Sequence, residues 1–268
     1  VTSGQSLPIS VCLIAGNEAH RIRRTLESVA GWTSEIIVVL NDDVNDGTDQ
    51  IAETFGAKVF REPWQGHIAQ KNSAAEKTSG DWLFSLDADE VVSPELREEI
   101  HDLFSSPEKL APFNSFSLPR CSFYLGRWIR YGDWYPDRKI RLWRRQVGTW
   151  GGANPHDELL VQGAVGRLHA DLLHYSMDSL NHHVRKSIAY SDTFALQQTE
   201  CGRDVGTLQL WFRPCWRFVR SYFLRLGFLD GWQGYVIARM VAFETFLRYA
   251  KVRAAQAQPP DVAPRKVS

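Results

Sequence analysis

Trp82-Leu83-Phe84-Ser85-Leu86-Asp87-Ala88-Asp89-Glu90 is the stretch on which the reading of this chain turns. An apolar run broken only by Ser85 leads straight into Asp87, Asp89 and Glu90, so a buried strand ends in an acidic turn. Two carboxylates one residue apart at such a place are costly to desolvate unless a cation pairs with them. A divalent metal bridging a diphosphate is the economical partner. Mg²⁺ and Mn²⁺ take oxygen ligands, commonly one or two carboxylates with phosphate oxygens and water in the other positions. The tripeptide alone would also suit a solvated turn next to a helix capped by Ser93; the buried strand in front of it favours the ion site.

Toward the amino terminus the same strand-then-turn unit repeats. Residues 9–15 form a compact apolar segment followed by Gly16, Asn17 and Glu18, and residues 18–29 have helical spacing through Ile22, Leu26 and Val29. Residues 35–40 are a continuous β-branched run that ends in Asn41, Asp42, Asp43 and Asp46. Helical signals at 48–55, a short strand at 58–61 and a helix at 68–78 complete the series. Strands alternating with helices of this length make β-α-β units and a mostly parallel sheet. Ligands of open sheets bind beyond the carboxyl ends of the strands, where the clusters at 16–18, 41–46 and 87–90 all lie. A carboxylate such as Asp42 could accept there from a uracil N–H or a ribose hydroxyl, although an Asx-rich turn is often only a turn. Lys71, in Gln70-Lys71-Asn72, sits on a helix that could point at a nucleotide or simply face solvent.

Toward the carboxyl terminus the pattern becomes irregular over about 111–178, where β-like runs at 114–118 and 139–143 are broken by Gly, Pro and aromatics. This region is expected to cover the sheet edge and hold an acceptor. Arg138, Arg141, Arg144 and Arg145 surround the second run, and a guanidinium suits a diphosphate or an anionic acceptor. His156-Asp157-Glu158 follows a loop-like stretch containing Trp150, Gly151 and Gly152, and either carboxylate could act as the base an inverting transfer requires. His156 could orient one of them or touch the metal. His169 and His174 read as ordinary core histidines. Helical spacing returns over 179–253, and residues beyond about 254 are expected to be a disordered tail.

Composition bounds the class. The chain has 268 residues, 44% hydrophobic and 23% charged, the profile of one packed catalytic domain with a short accessory region. Lys plus Arg and Asp plus Glu are equal at 31 each, so no global field points to nucleic acid. Cys12, Cys121, Cys201 and Cys215 lack zinc-ligand spacing and are expected to be free core thiols in a reducing compartment. No stretch reaches the ~18 uninterrupted apolar residues of a spanning helix, which implies a cytoplasmic protein. Residues 211–225 interleave Arg213, Arg217, Arg220 and Arg225 with aromatics, a pattern that suits either core packing or an anionic membrane surface, here the inner face of the cytoplasmic membrane.

Taken together, Asn17-Glu18, Asp46-Gly47-Thr48, Trp64 with Gly66, Gln70-Lys71-Asn72, Asp87-Ala88-Asp89-Glu90, Arg141-Leu142-Trp143 and His156-Asp157 resemble glycosyltransferase family 2, more narrowly the bacterial lipopolysaccharide core glucosyltransferases. The likeness covers most of residues 8–250. It implies a GT-A fold, a Rossmann-like, mostly parallel sheet with helices on both faces, plus a C-terminal helical extension. On that basis the catalytic domain spans 1–178, with its nucleotide-sugar half at about 1–110. A UDP-sugar donor, Mg²⁺ or Mn²⁺, and inversion by direct displacement of a hexose onto a glycan or glycolipid are also implied. Carried over by position, Glu18, Asp42, Lys71, Asp87 and Arg141 bind the nucleotide-sugar, Asp89 with Asp87 holds the metal, and Asp157, with Glu158 as the alternative, is the base. Asn41 and Asp43-Val44 depart from the family pattern at the second strand end. Two other readings compete: a polyprenyl-phosphate sugar transferase of the same fold, and a non-catalytic nucleotide-sugar-binding protein at a membrane.

Overall fold

A computed structural model of the chain describes residues 6–153, 156–202 and 204–257. The first part alternates as expected: β1 (Leu7–Ala15), α1 (Ile22–Val29), β2 (Thr33–Asn41), α2 (Thr48–Thr54), β3 (Lys58–Glu62), α3 (His67–Glu76) and β4 (Trp82–Asp87). A short β5 (Glu90–Val92) leads to α4 (Pro94–Ser105) and α5 (Pro107–Leu110). Next come β6 (Ser115–Tyr124), β7 (Arg127–Trp128), β8 (Asp137–Arg144), the hairpin of β9 (Gly148–Ala153) and β10 (His156–Val161), β11 (Val165–Arg167) and β12 (Leu172–His174). The chain ends in α6 (Leu180–Glu200), α7 (Thr207–Val219) and α8 (Gly231–Ala257).

The main sheet runs β3-β2-β1-β4-β8-β6-β12-β5. The expected parallel character holds for β3, β2, β1 and β4, whose connections are β-α-β crossovers. Beyond β4 the sheet turns antiparallel, with β8 against β4 and β6 against β8, so the whole is mixed. No crossover helix lies between β6 and β8, so their chain can return directly.

Strand alternation divides the core into two layers. Ile9, Val11, Leu13, Val38, Leu40, Phe84 and Leu86 face one side, packed with Ile22, Leu26 and Val29 of α1 and Leu96, Ile100 and Leu103 of α4. Cys12, Ile37, Val39 and Leu83 face the other, against Ala74 of α3 and Trp150 and Leu159 of the hairpin. Each such side chain contributes about 1.5–3 kcal/mol when fully buried, which holds the strand ends in place. Ser93 caps α4, accepting from the Leu96 N–H at 3.1 Å with Pro94 in the first turn. The acidic turn is therefore pinned on both sides, by β4 and by a helix start.

The chain divides into two compact units, the first running to Cys121 and resuming from Asp137 to Tyr175. Ser122–Pro136 groups instead with the C-terminal helices, although its sequence reads as part of the acceptor-side region. Tyr124, Ile129 and Ile237 make the core of this second unit, and the Tyr124 hydroxyl meets His183 Nδ1 at 2.8 Å. None of the four cysteines forms a disulfide, but only Cys12 and Cys121 are buried; Cys201 and Cys215 are exposed, against the expectation of core thiols. Helix α8 continues to Ala257, so residues 254–257 are helical, and the remainder of the expected tail lies outside the described residues. Among the described residues no helix is long and apolar enough to cross a membrane.

Candidate functional site

The carboxyl ends of β1, β2 and β4 converge on one edge of the first unit, and the acidic turn is built there as an ion network. Asp87 closes β4, with its two carboxylate oxygens 2.9 Å from Lys71 Nζ and 2.6 Å from Arg141 Nη2. Arg141, buried on β8, also reaches Glu90 Oε1 at 2.6 Å. Glu90, fully buried on β5, takes Arg120 at 3.2 Å and accepts from the Asp87 N–H at 3.0 Å. Arg120 in turn binds Asp137 at 2.6 Å.

Lys71 is the link between the halves of the first unit. Its ammonium lies 2.7 Å from Asp157 Oδ2 and 4.4 Å from the centroid of the Trp150 ring. Asn72, the next residue on α3, fixes β9 by accepting from the Trp150 N–H at 2.9 Å and donating to its carbonyl at 3.0 Å. The Gln70-Lys71-Asn72 helix thus holds the hairpin with one side chain and aims a cation between two carboxylates with another. Asp157 faces this cation, while Glu158, next on β10, is exposed and points to the opposite face. The side chain of His156 lies outside the described residues.

Asp89 stands apart from this network. Its Oδ2 is 3.5 Å from His174 Nε2 and 3.6 Å from Arg21 Nη1, and its carbonyl accepts from the Tyr175 N–H at 2.9 Å. Pairing of β12 with β5 sets His174 opposite Glu90 and so beside Asp89. Arg21 also binds Glu18 at 2.8 Å, and Glu18 is anchored through its N–H to Thr48 Oγ1 at 3.0 Å. Asp42 is exposed at the end of β2, its N–H donating to the Glu62 carbonyl at 2.9 Å. His169 is elsewhere, its N–H held by Glu99 of α4 at 2.9 Å.

Electrostatics follow from burial opposed by partners. Burial would raise the Asp87 pKa, but Arg141 and Lys71 outweigh it and hold the carboxyl well below the usual range. Asp89 is shifted the same way, burial being outweighed by His174 and Arg21 despite the repulsion of Asp87. Burial pushes the Cys12 thiol up to about 12, so this cysteine under the site stays protonated. Along this edge Glu18, Asp87, Asp89, Glu90, Asp137 and Asp157 are paired with the permanent cations Arg21, Lys71, Arg120, Lys139 and Arg141.

A divalent cation would find a usable donor pair in Asp89 and His174, one carboxylate oxygen and one imidazole nitrogen, both partly exposed. Asp87 already has a cation on each oxygen. Among the described residues no group of three or more His, Cys, Asp or Glu side chains is arranged to hold a metal by itself. A cation here would therefore complete its shell with phosphate oxygens and water, as Mg²⁺ and Mn²⁺ commonly do. Sequence reasoning singled out Glu18, Lys71, Asp87, Asp89, Arg141 and Asp157, which this edge brings together. It passed over His174, Arg21, Arg120 and Trp150. Only the apolar pair Leu172-Leu173 ahead of His174 hinted that this histidine ends a strand.

A family model described as glycosyl transferase family 2 matches residues 10–146. An uncharacterized glycosyltransferase of Rickettsia typhi is 32% identical over 254 residues, covering 91% of this chain and 86% of that protein. The lipopolysaccharide core biosynthesis glycosyltransferase LpsC of Rhizobium meliloti is 28% identical over 253 residues, 92% of each chain. Among solved structures, the mannosyltransferase PcManGT of Pyrobaculum calidifontis in complex with GDP-Man and Mn²⁺ has a TM-score of 0.51 at 10% identity. That match covers 94% of this chain and 88% of the other.

Proposed function

Because the chain belongs to glycosyl transferase family 2 and is a glycosyltransferase of α/β, GT-A-like fold, we propose that it moves a hexose, glucose in our reading, from a UDP-sugar to a hydroxyl of a lipopolysaccharide-core type acceptor, with inversion. The observation that carries this reading is Lys71, which lies within 2.9 Å of Asp87 and 2.7 Å of Asp157. A strand-end carboxylate and a hairpin carboxylate remote in sequence thereby face one space. The acceptor class rests on likeness to LpsC along nearly the whole chain.

In this reading Asp42 and Glu18 line the nucleoside side of the edge, and Lys71 and Arg141 supply positive charge toward the diphosphate. Asp89 and His174 would hold the divalent metal, with Asp87 beside them. The bound metal would supply Lewis-acid stabilisation of the departing nucleotide diphosphate. Asp157 accepts the proton of the acceptor hydroxyl as its oxygen forms the new bond to the anomeric carbon. The bond from that carbon to the diphosphate oxygen breaks, and its electron pair leaves with UDP. Attack from the face opposite the leaving group inverts the centre. The site of action is the cytoplasmic face of the membrane that carries a lipid-linked acceptor.

Family membership supports catalysis over mere nucleotide-sugar binding. Between the two acceptor chemistries, a phosphate acceptor is already an anion and needs no base. The placement of Asp157 against Lys71 thus favours a hydroxyl acceptor. The test is to offer a lipid A-core fragment and a polyprenyl phosphate in parallel, each with UDP-glucose and Mn²⁺. Transfer to the core fragment is the expected outcome, and transfer to the polyprenyl phosphate alone would remove the hydroxyl reading.

A further inference from the structure

We propose that the second unit carries a docking surface for an anionic phospholipid bilayer, centred on Arg217, Arg220 and Arg225 and the exposed aromatic face of α7. It rests on the reading of the acceptor as membrane-borne for its biological purpose only. Binding is measured without donor or acceptor, so either reading can fail alone.

The charge cluster comes first. Asp133, whose side chain is 6% exposed, has Arg217 at 3.1 Å, Arg225 at 3.3 Å and Arg220 at 3.8 Å. One buried carboxylate cannot neutralise three guanidiniums, each of which remains a third or more exposed. Glu244, which shares the field of Arg217, has its own partner in Arg248 at 2.5 Å. No acidic residue occurs from Gly206 to Leu229, while Arg213, Arg217, Arg220 and Arg225 all do.

Backbone geometry gathers this charge. Residues Arg220–Leu224 form a π-helical turn that continues α7, closed by the Arg225 N–H donating to the Arg220 carbonyl at 2.8 Å. In an uninterrupted α-helix Arg217 and Arg225 would stand about 80° apart around the axis. The one-residue insertion of a π turn cuts that to about 20°, so both guanidiniums reach the same carboxylate. Without it Arg225 would face elsewhere.

Beside the cluster lies an apolar face. Trp211 is 72% exposed, Phe212 67%, Phe223 53% and Trp216 46%. Leu224, in the π turn that continues α7, adds to it at 62%. Large apolar side chains beside arginines, on a helix that does not span, match a segment lying in the headgroup plane. Charge complementarity decides the occupant, because the excess positive charge has no acidic counterpart along α7. A symmetric second copy would bring two such arginine clusters toward each other, whereas a bilayer containing phosphatidylglycerol supplies the anions and takes up the aromatic rings.

The experiment is co-sedimentation of the full chain with phosphatidylcholine vesicles, with and without phosphatidylglycerol, at low and high salt. The wild type is expected to bind the anionic vesicles and to weaken as salt screens the charges. Arg220→Gln with Arg225→Gln leaves Arg217 as partner for Asp133, so the unit keeps its fold. That variant should lose about 30-fold in apparent affinity for anionic vesicles. Trp211→Ser with Phe212→Ser, both at solvent-exposed positions, should also bind more weakly, with an unchanged circular dichroism spectrum. Equal binding to neutral vesicles, or undiminished binding by the arginine variant, would overturn the proposal. So would a Trp211, Phe212 variant that alters sedimentation velocity but not vesicle recovery, since a second copy would then occupy the face.

Discussion

Asp157→Asn should cut turnover about 10²-fold or more while leaving UDP affinity nearly unchanged. The substitution conserves shape, and the amide oxygen can still accept from Lys71, which also retains Asp87 at 2.9 Å. What is lost is the capacity to take a proton from the acceptor hydroxyl as its oxygen attacks. Glu158→Gln is the matched control, because that side chain is exposed on the other face of β10 and should leave turnover within about twofold of wild type. Steady-state kcat for both variants, with calorimetric UDP binding, checks the pair of claims. Equal turnover in Asp157→Asn and wild type would take Asp157 out of the mechanism.

Arg141→Met should be strongly destabilising, costing about 3–5 kcal/mol, as expected when one partner of a buried ion pair is removed. Arg141 is 3% exposed and is shared by Asp87 and Glu90, the latter wholly buried. Lys71 and Arg120 remain as partners, which favours the lower part of that range. For a chain of this size each kcal/mol is roughly 2–4 °C of Tm, so thermal unfolding should register the change clearly. The pH sense is also defined. Asp87 has a depressed folded pKa, so its stabilising contribution is complete above the unfolded value of about 3.9 and is lost as pH falls through the folded one. The variant should lose that contribution at a higher pH than wild type. A loss under about 1 kcal/mol would mean that Lys71 and Arg120 suffice for the two carboxylates, contrary to the cost expected for a broken buried pair.

The parallel half of the fold was legible because each of β1, β2 and β4 is a continuous apolar run closed by polar residues, a pattern that local sequence carries in full. The excursion Ser122–Pro136 was not, since its membership in the second unit depends on long-range packing with no periodic signal. Within the candidate site, Asp87 was legible at a strand end and Lys71 on a helix, while Asp157 was legible only as a carboxylate after a loop-like stretch. Their meeting through one ammonium was not, since Lys71 and Asp157 are 86 positions apart. His174 was read as a core histidine because the apolar pair ahead of it does not say which strand it pairs with. Only pairing of β12 with β5 sets it beside Asp89. Glu90 was legible only as part of the acidic turn, whereas it is fully buried against Arg141 and Arg120.

The central claim is a donor site that works through a divalent metal at Asp89, and UDP binding measured by calorimetry tests it most directly. Wild type and Asp89→Ala would each be titrated with UDP in the presence of Mn²⁺ and again with a chelator. The account predicts binding by wild type with Mn²⁺, and its loss both in the chelator and in Asp89→Ala. UDP binding that is equal with and without metal, or unchanged in Asp89→Ala, would contradict it.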